Sequence, residues 1–306
     1  MARRLDQRTR HHISEVLPPL DRPIAATANE PAGFFRGLIA RIMKFCYNVR
    51  TMIEELRERR FLFEELVKRD FKKKYKRTVL GMGWSMLSPL LMLLVMKVVF
   101  EQFFGRTMSH YTTYLFCGLL TFNWFSESTN SGMRSLFANA AIFTKVNVPK
   151  YIFLLAVNIQ VLINFGLTLL VFFLFCAIDH VQFTWKFVLM LYPIATLLLF
   201  NIGVGMILSA LFIFFRDIDY LWSIVLQLTM YGSAIFYTVE KMSPKVQIVF
   251  ACNPVYRHIA YIREIVLSGT IPSLGTHLVL AGFALAAVLA GALMYKHYNT
   301  KFLYYV

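Results

Sequence analysis

The sequence predicts an all-α integral membrane protein with six transmembrane helices, an N-terminal amphipathic interfacial helix and short re-entrant outer helices before the last span. Three observations predict this fold class. Apolar residues make up 58% of the 306 residues and charged residues only 16%, against roughly a quarter in a soluble domain. The mean hydropathy is +0.56. The apolar residues also gather in runs of roughly 20, the length that crosses a bilayer core as a helix.

The N-terminal part of the chain divides into two segments. Residues 1–30 are polar and interrupted by prolines, which predicts a flexible cytoplasmic tail. From residue 34 to residue 60, apolar side chains recur at steps of three and four with charged side chains opposite them. This pattern predicts an amphipathic helix, lying either in the cytoplasmic membrane interface or on a soluble partner, or both. Residues 31–80 therefore comprise an interfacial helix and a basic segment, and a six-helix domain covers 81–306.

Six apolar runs predict the membrane spans. They are residues 84–104, 111–130, 151–178, 186–214, 221–239 and 277–295. The loop over 131–150 has room for a short helix, whereas the loop over 215–220 is tight. The segment over 240–276 contains two apolar runs too short to cross a bilayer, which predicts short helices that dip into the membrane from one side.

The positive charge indicates the orientation of these spans. The formal net charge is +15, and 19 of the 32 Lys and Arg precede residue 81. With the N-terminus inside, the inner segments hold 25 of them and the outer segments 6. This asymmetry predicts a multi-pass protein with both termini in the cytoplasm, and it argues against a nucleic-acid partner.

Motifs for nucleotide and metal binding are weak or missing. The sequence contains no Gly-x-x-x-x-Gly-Lys-Ser/Thr motif, so this chain has no P-loop for ATP. The four cysteines form no Cys-x-x-Cys pair, and the seven histidines are scattered. Asp217 and Asp219 have the spacing of a metal–sugar-nucleotide motif, but Arg216 beside them favours an ion pair that fixes the turn. We expect no metal and no cofactor in this chain.

Several residues within the spans invite a structural or a functional interpretation. Lys97 and Glu101 are four residues apart in the first span, where they either serve a function or neutralise each other. Small residues at four-residue spacing predict close helix contacts; they are Gly205, Ser209, Gly282, Ala286 and Ala290. Aromatic rings could belong to the membrane-interface belts or line a conduit for sugars. The conduit candidates are Phe100, Phe103, Phe104, Trp222, Tyr231, Phe236 and Tyr237.

Four segments in order resemble the bacterial polysaccharide ABC export permeases, the membrane subunits that export O-antigen, capsule and teichoic acid. They are YKRTVLGMGW (75–84) followed by SPL (88–90), IFTKVNVPK (142–150), FRDIDY (215–220) and Asn253-Pro254. The resemblance covers roughly residues 60–300. Ala234 departs from the pattern, since the family usually has proline there.

The resemblance implies a homodimer of six-helix subunits in the bacterial plasma (inner) membrane, beside two copies of a separate ATPase subunit that binds ATP and Mg²⁺. The substrate would be a lipid-linked glycan. It also implies roles for individual residues. Coupling to the ATPase would involve Arg134, Phe143, Lys145, Arg216 and Asp217. Independently of the resemblance, the charges and aromatic rings within the spans make Lys97, Phe100, Glu101, Phe104, Trp222, Tyr231 and Tyr237 the candidates for a substrate channel. The outer gate would involve Asn253, Pro254 and Tyr256.

Two alternatives stay open at this point. A multi-pass glycosyltransferase or acyltransferase would need acid, base or metal groups at one membrane face. Its candidates are Asp217, Asp219, His110, His180 and His258. A permease of the same architecture for drugs or small lipids is the second alternative.

Overall fold

The computed structural model describes residues 54, 57–104, 110–240, 242–299, 301–303 and 305, without the side chains of 102–104 and 303. The predicted tail over 1–30 lies outside these residues. So does the predicted interfacial helix, except for residues 54 and 57–60 at its end. Residues Arg60–Val306 form a compact unit that contains all the helices described below.

Every regular element in the described residues is helical. The α-helices are α1 (Arg60–Tyr75), α2 (Gly83–Phe104), α3 (Tyr111–Ala138), α4 (Ala140–Phe143), α5 (Tyr151–Ile178), α6 (Leu191–Phe214), α7 (Ile218–Tyr231), α8 (Pro244–Ala251), α9 (Pro254–Val266) and α10 (Leu274–Tyr298). A 3₁₀ turn, Trp185–Met190, leads into α6, and a second, Lys301–Leu303, follows α10. The basic segment over 71–77 is thus helical as far as Tyr75.

Within the described part of the chain, four helical stretches are long and apolar enough to cross a membrane. They are Gly83–Glu101, Tyr151–Ile178, Trp185–Phe214 and Leu274–Tyr298, which match the predicted first, third, fourth and sixth spans. The other two predicted spans differ from this simple pattern. Helix α3 has 28 residues but carries many buried threonines and serines. Helix α7 has only 14 residues, fewer than the ~20 that cross a bilayer core.

The predicted span over 221–239 is interrupted because helix α7 ends at Tyr231. The chain continues through turns over 232–240, and Ala234 adopts a φ of 48°. A left-handed φ costs a residue with a Cβ roughly 1–2 kcal/mol and is closed to proline, whose ring fixes φ near −65°. The resemblance predicts proline at position 234, but proline cannot adopt the φ that Ala234 has in this structure.

Helix α3 forms the centre of the unit, packed between α5 and α6 and touching α2, α7 and α9. Trp124 of α3 stacks on Phe165 of α5 with ring centroids 4.1 Å apart. Ser128 donates to Oδ1 of Asn158 at 2.5 Å. Ser128 of α3 thus serves a contact between helices, whereas Thr121 and Ser135 donate to backbone oxygens of α3 itself. With these hydroxyls satisfied, a helix of spanning length can be less apolar than its neighbours.

The most extensive helix pair is α6 with α10, and glycines bring the two backbones together. A Cβ on Gly203 would lie 2.3 Å from the carbonyl carbon of Ala287, and one on Gly291 would lie 2.7 Å from the oxygen of Gly203. The sequence predicted small-residue contacts but partly the wrong residues. Gly205 packs on Gly132 of α3, whereas a Cβ on Gly282 would have no neighbour within 4 Å.

Candidate functional site

The segment between α3 and α5, predicted to couple to an ATPase, begins as a direct continuation of α3. That helix runs to Ala138, and the four-residue helix α4 follows Asn139. Asn139 is buried, and its Nδ2 donates to the oxygen of Ser135 at 2.7 Å. Its Oδ1 accepts from Nη2 of Arg69 on α1 at 2.7 Å. The bend between α3 and α4 is therefore tied to α1.

Arg134 makes the principal ionic contact in this region. Its Nη2 donates to both carboxylate oxygens of Asp219 at 2.8 Å, which links α3 to the first turn of α7. The sequence predicted that Asp217 or Asp219 pairs with Arg216 inside the turn. For Asp219 this expectation is wrong, because the carboxylate turns toward α3 and meets a guanidinium 85 residues away in sequence.

Arg216 instead stacks on aromatic rings. Its guanidinium carbon lies 3.6 Å from the ring centroid of Phe137 and 5.5 Å from that of Phe212. A flat guanidinium over a ring gains cation–π attraction while remaining hydrated at its edges. Asp217 is exposed beside it. The turn between α6 and α7 thus contacts the end of α3 through a stacked arginine and, at Asp219, through an ion pair.

Phe143 and Lys145 have different surroundings, although both were predicted to contact an ATPase. Phe143 is buried, with its ring 6.1 Å from that of Phe153 on α5. Lys145 is exposed. Of the two, only Lys145 presents its side chain at the surface, while Phe143 anchors α4 on the helices behind it.

Lys150, just before α5, binds Asn299 at the C-terminal end of α10. Its Nζ donates to the backbone oxygen of Asn299 at 2.6 Å and to its Oδ1 at 2.8 Å. The same ammonium lies 5.8 Å from the Phe143 ring and 5.7 Å from the buried Phe302 ring. Burial lowers the pKa of Lys150. The contact with Asn299 was not predicted, because 149 residues separate it from Lys150 in the chain.

At the other end of the molecule, Asn253 joins two elements. Its Oδ1 accepts from the backbone N–H groups of Val255 and Tyr256, which caps α9. Its Nδ2 donates to the oxygen of Gly232 at 2.8 Å and to Oγ of Ser233 at 3.0 Å. Pro254 occupies the first turn, where no N–H is needed. The Asn-Pro pair therefore sets the start of α9 against the end of α7.

Arg263 on α9 is a buried charge that the sequence analysis missed. It is 8% exposed, and its guanidinium donates to the backbone oxygens of Tyr114, Ala234 and Ile235 at 2.9 to 3.2 Å. Its central carbon lies 3.4 Å from the ring centroid of Tyr114. These oxygens belong to α3 and to the turns after α7. Arg263 thus connects α9 to both elements. Helix α9 lies in the segment where the sequence predicted short helices before the last span.

The predicted conduit residues lie on α2, on α7 and in the turns after α7. Lys97 and Glu101 lie 3.7 Å apart on α2, and the neighbouring Phe100 stacks on Phe236 at 4.6 Å. Trp222 donates to Oγ1 of Thr129 at 3.2 Å and is partly buried.

The remaining conduit and gate candidates lie near the turns after α7. Tyr237 donates to the oxygen of Tyr231, whose side chain is exposed. Tyr256 meets Phe250 edge to face at 5.6 Å. The side chain of Phe104 lies outside the described part of the chain.

Three of the residues considered for an enzyme, Asp219, His110 and His258, are engaged in other contacts. His258 is buried, with Nδ1 2.8 Å from the oxygen of Pro254 and Nε2 3.2 Å from Oγ1 of Thr196. His110 contacts the oxygen of Asp179 at 2.9 Å. His180 is a turn residue with a φ of 54°. Among the described residues, no group of three or more His, Cys, Asp or Glu could hold a metal ion.

Comparison with known proteins places this architecture in a family of membrane transport proteins. Residues 62–267, which include α2 to α9 and most of α1, match the ABC-2 type transporter membrane family. This match covers more than half of the chain. The protein therefore belongs to the ABC-2 type transporter family and is a multi-pass membrane protein.

The curated relatives carry a more specific name. The chain is 31% identical over 118 residues to a Myxococcus xanthus protein named O-antigen export system permease protein RfbA, covering 39% of this chain and 45% of the relative. Two Klebsiella pneumoniae proteins of the same name are each 33% identical over 93 residues, covering 29% of this chain and 36% of each relative. The aligned regions thus span less than half of these relatives, whose names describe transport permeases rather than enzymes.

Proposed function

We propose that this chain is the membrane-spanning permease subunit of an ABC exporter that moves a lipid-linked polysaccharide or polyol phosphate outward across the bacterial inner membrane. The observation that carries the proposal is the family match over 62–267, together with relatives named O-antigen export permeases. The export of an O-antigen, capsule or teichoic acid type of glycan follows from those names and from the four ordered sequence segments.

Energy for export would come from a separate ATPase subunit that binds ATP and Mg²⁺. The sequence contains no P-loop of its own. The end of α3, the segment between α3 and α5, and the turn between α6 and α7 support the proposed docking role. They carry exposed charged side chains and are held by contacts with neighbouring helices. Arg134, Lys145 and Asp217 are exposed, while Phe143 is buried behind them. ATP-driven closure of two ATPases would push on these regions, and the links from Arg134 to α7 and from Lys150 to α10 would carry the motion into the bundle.

Six spans, inner termini and a homodimer complete the proposal. Helix α3 has the length to cross, and its polar residues are buried against neighbouring helices. Helix α7 would cross together with the turns over 232–240. Two exposed apolar faces, on α2 and on α7, are available to lipid or to a second copy. The 25 inner and 6 outer Lys and Arg support this orientation.

The experiment that tests the proposal is purification from the native membrane in mild detergent, with identification of co-purifying proteins. We expect a stoichiometric partner that carries a P-loop, and a mass that fits two copies of each chain. A chain that purifies alone in several mild detergents, without ATPase activity, would contradict the exporter and direct attention to Asp217 and Asp219 as groups of a membrane enzyme.

A further inference from the structure

A cleft of about 590 Å³ lies between α1, α2, α3 and α5. It is separate from the predicted coupling, conduit and gate residues. Its volume falls within the ~300–1,000 Å³ typical of small-molecule sites. The end of α1, the first turns of α2 and the middle of α3 and α5 supply its walls, so the cleft opens within a single subunit.

The polar lining of the cleft leaves hydrogen-bonding groups unused. Asn164 of α5 is 4% exposed, and its Oδ1 accepts from the hydroxyl of Tyr75 at 2.6 Å and from that of Ser85 at 3.4 Å. Its Nδ2 has no hydrogen-bond partner within the described residues, nor does Nε1 of Trp124, a residue that is 3% exposed. If the assigned positions of oxygen and nitrogen in the Asn164 side chain were exchanged, one of the two amide atoms would still lack a hydrogen-bond partner. Such buried groups are costly unless another molecule satisfies them.

Aromatic rings supply the apolar part of the lining. Trp124 is stacked on Phe165 at 4.1 Å, and Trp84 of α2 also lines the cleft, with 43% of its surface exposed. A pyranose ring has one apolar face of C–H groups and a rim of hydroxyls. The combination of the exposed Trp84 indole face with uncharged N–H and O–H groups therefore matches the chemistry of a sugar.

The charge of the cleft argues against a phosphate as its ligand. The cation in the lining is Lys74, and its ammonium is already paired with the carboxylate of Glu127, which also lines the cleft. The two charges cancel, and the other polar lining groups are hydroxyls, amides and the N–H groups of two indoles. A phosphate needs charge-assisted donors that are free of a competing carboxylate.

We infer that this cleft binds one neutral pyranose unit, with Asn164 and Trp124 donating to its hydroxyls and Trp84 contacting its apolar face. That the sugar belongs to an exported glycan rests on the proposed function, whereas binding itself is a property of this chain. Because both unpaired N–H groups are buried, the surrounding rings must shift when a hydroxyl reaches them.

Saturation-transfer NMR on the purified full chain in nanodiscs tests the inference. The probes are the methyl glycosides of glucose, galactose, mannose and rhamnose, titrated separately, with inorganic phosphate as a competitor. We expect saturable binding of at least one glycoside in the millimolar range. Asn164→Leu and Trp124→Phe should each weaken it at least about tenfold, as the loss of a hydrogen bond in a buried site predicts. Trp124→Phe keeps a ring against Phe165, so it guards against a fold defect in Asn164→Leu.

Asn201→Leu is the matched control. Asn201 of α6 is also fully buried, and neither of its amide atoms has a partner within the described residues, but it does not line the cleft. Its replacement should leave glycoside binding unchanged. The inference would be overturned if no glycoside showed saturable binding, or if phosphate displaced the glycoside. It would also be overturned if both cleft variants bound the glycoside as tightly as the wild-type protein does. Binding without a co-purifying ATPase would contradict the proposed function alone, and an ATPase partner without binding would contradict this inference alone.

Discussion

Arg134 of α3 and Asp219 of α7 form a two-bonded ion pair, with a single guanidinium nitrogen 2.8 Å from each carboxylate oxygen. The arginine side chain is 60% exposed and the aspartate 32%. Exposed ion pairs contribute about 0–1 kcal/mol to stability. The value of this pair therefore lies in the relative placement of α3 and α7 rather than in the free energy of unfolding.

Reversing the charge of Arg134 should uncouple export without unfolding the protein. We expect Arg134→Glu to lower surface glycan strongly while membrane levels stay normal, because glutamate repels Asp219. The double variant Arg134→Glu with Asp219→Arg should recover much of the export. Surface glycan in cells lacking the native permease measures both. Failure of the double variant to recover export would contradict a role through Asp219. Lys145→Glu should also uncouple export, and no second-site change at Asp219 should rescue it.

Adding a methyl group to either close-packed glycine should separate α6 from α10. Gly203→Ala and Gly291→Ala each place a Cβ within 2.7 Å of neighbouring atoms, so we expect a loss of about 3 kcal/mol or failure to accumulate. Gly282→Ala is the control on the same helix, where the Cβ meets open space. It should be neutral or gain up to ~1 kcal/mol from helix propensity. Thermal unfolding in detergent distinguishes them, and equal effects at 282 and 291 would contradict the proposed packing.

Removing the guanidinium of Arg263 should take a charged donor away from three backbone oxygens. Hydrogen bonds to charged groups are worth roughly 1.5–3 kcal/mol each, and we expect Arg263→Gln to lose at least about 3 kcal/mol. Arg257→Gln is the control on the same helix, because Arg257 makes one hydrogen bond, to the oxygen of Ala251 at 2.8 Å. The midpoint of thermal unfolding should fall much further for the first variant. Similar shifts for both would show that Arg263 does not fasten α9.

Asn253 should matter more than an ordinary helix cap. Ser273 caps α10 by accepting from the N–H of Thr276, so Ser273→Ala should cost about 1 kcal/mol. Asn253→Ala loses a cap and also the two hydrogen bonds to Gly232 and Ser233. We expect a cost of about 2–3 kcal/mol. Asn253→Asp should keep the cap and lose the amide donors, and stability equal to wild type for this variant would contradict the bridging role.

The sequence predicted most of the helices because apolar length is a local property. The predicted spans over 84–104, 151–178 and 186–214 match helical stretches within a few residues. The early end of α7 was missed because apolar residues resume at Ile235 and Phe236. Gly232, of a residue type that commonly ends helices, follows Tyr231 directly and was the available signal.

Contacts between distant segments were not predictable for a different reason. Asp219 has Arg216 three residues away, yet its partner is Arg134. Likewise, Gly203 and Gly291 carry the close approach although Gly205 and Gly282 have the same residue type. Which of several equivalent residues faces a neighbour depends on helix rotation, and one sequence does not fix that rotation. Asn164 and Trp124 were missed because their role depends on four helices enclosing a cleft.

The pairing of Gly203 with Gly291 has a consequence for how the protein is made. Helix α6 leaves the ribosome long before its partner, since 88 residues separate the two glycines in the chain. At a translation rate of roughly 5–20 residues per second, this gap lasts about 4–18 seconds. During that time the surface of α6 at Gly203, which later packs against α10, can contact only lipid or the insertion machinery. The packing of α6 is therefore completed only after α10 is made. A ribosome that stops before α10 releases a chain in which this face of α6 has no helix packed against it.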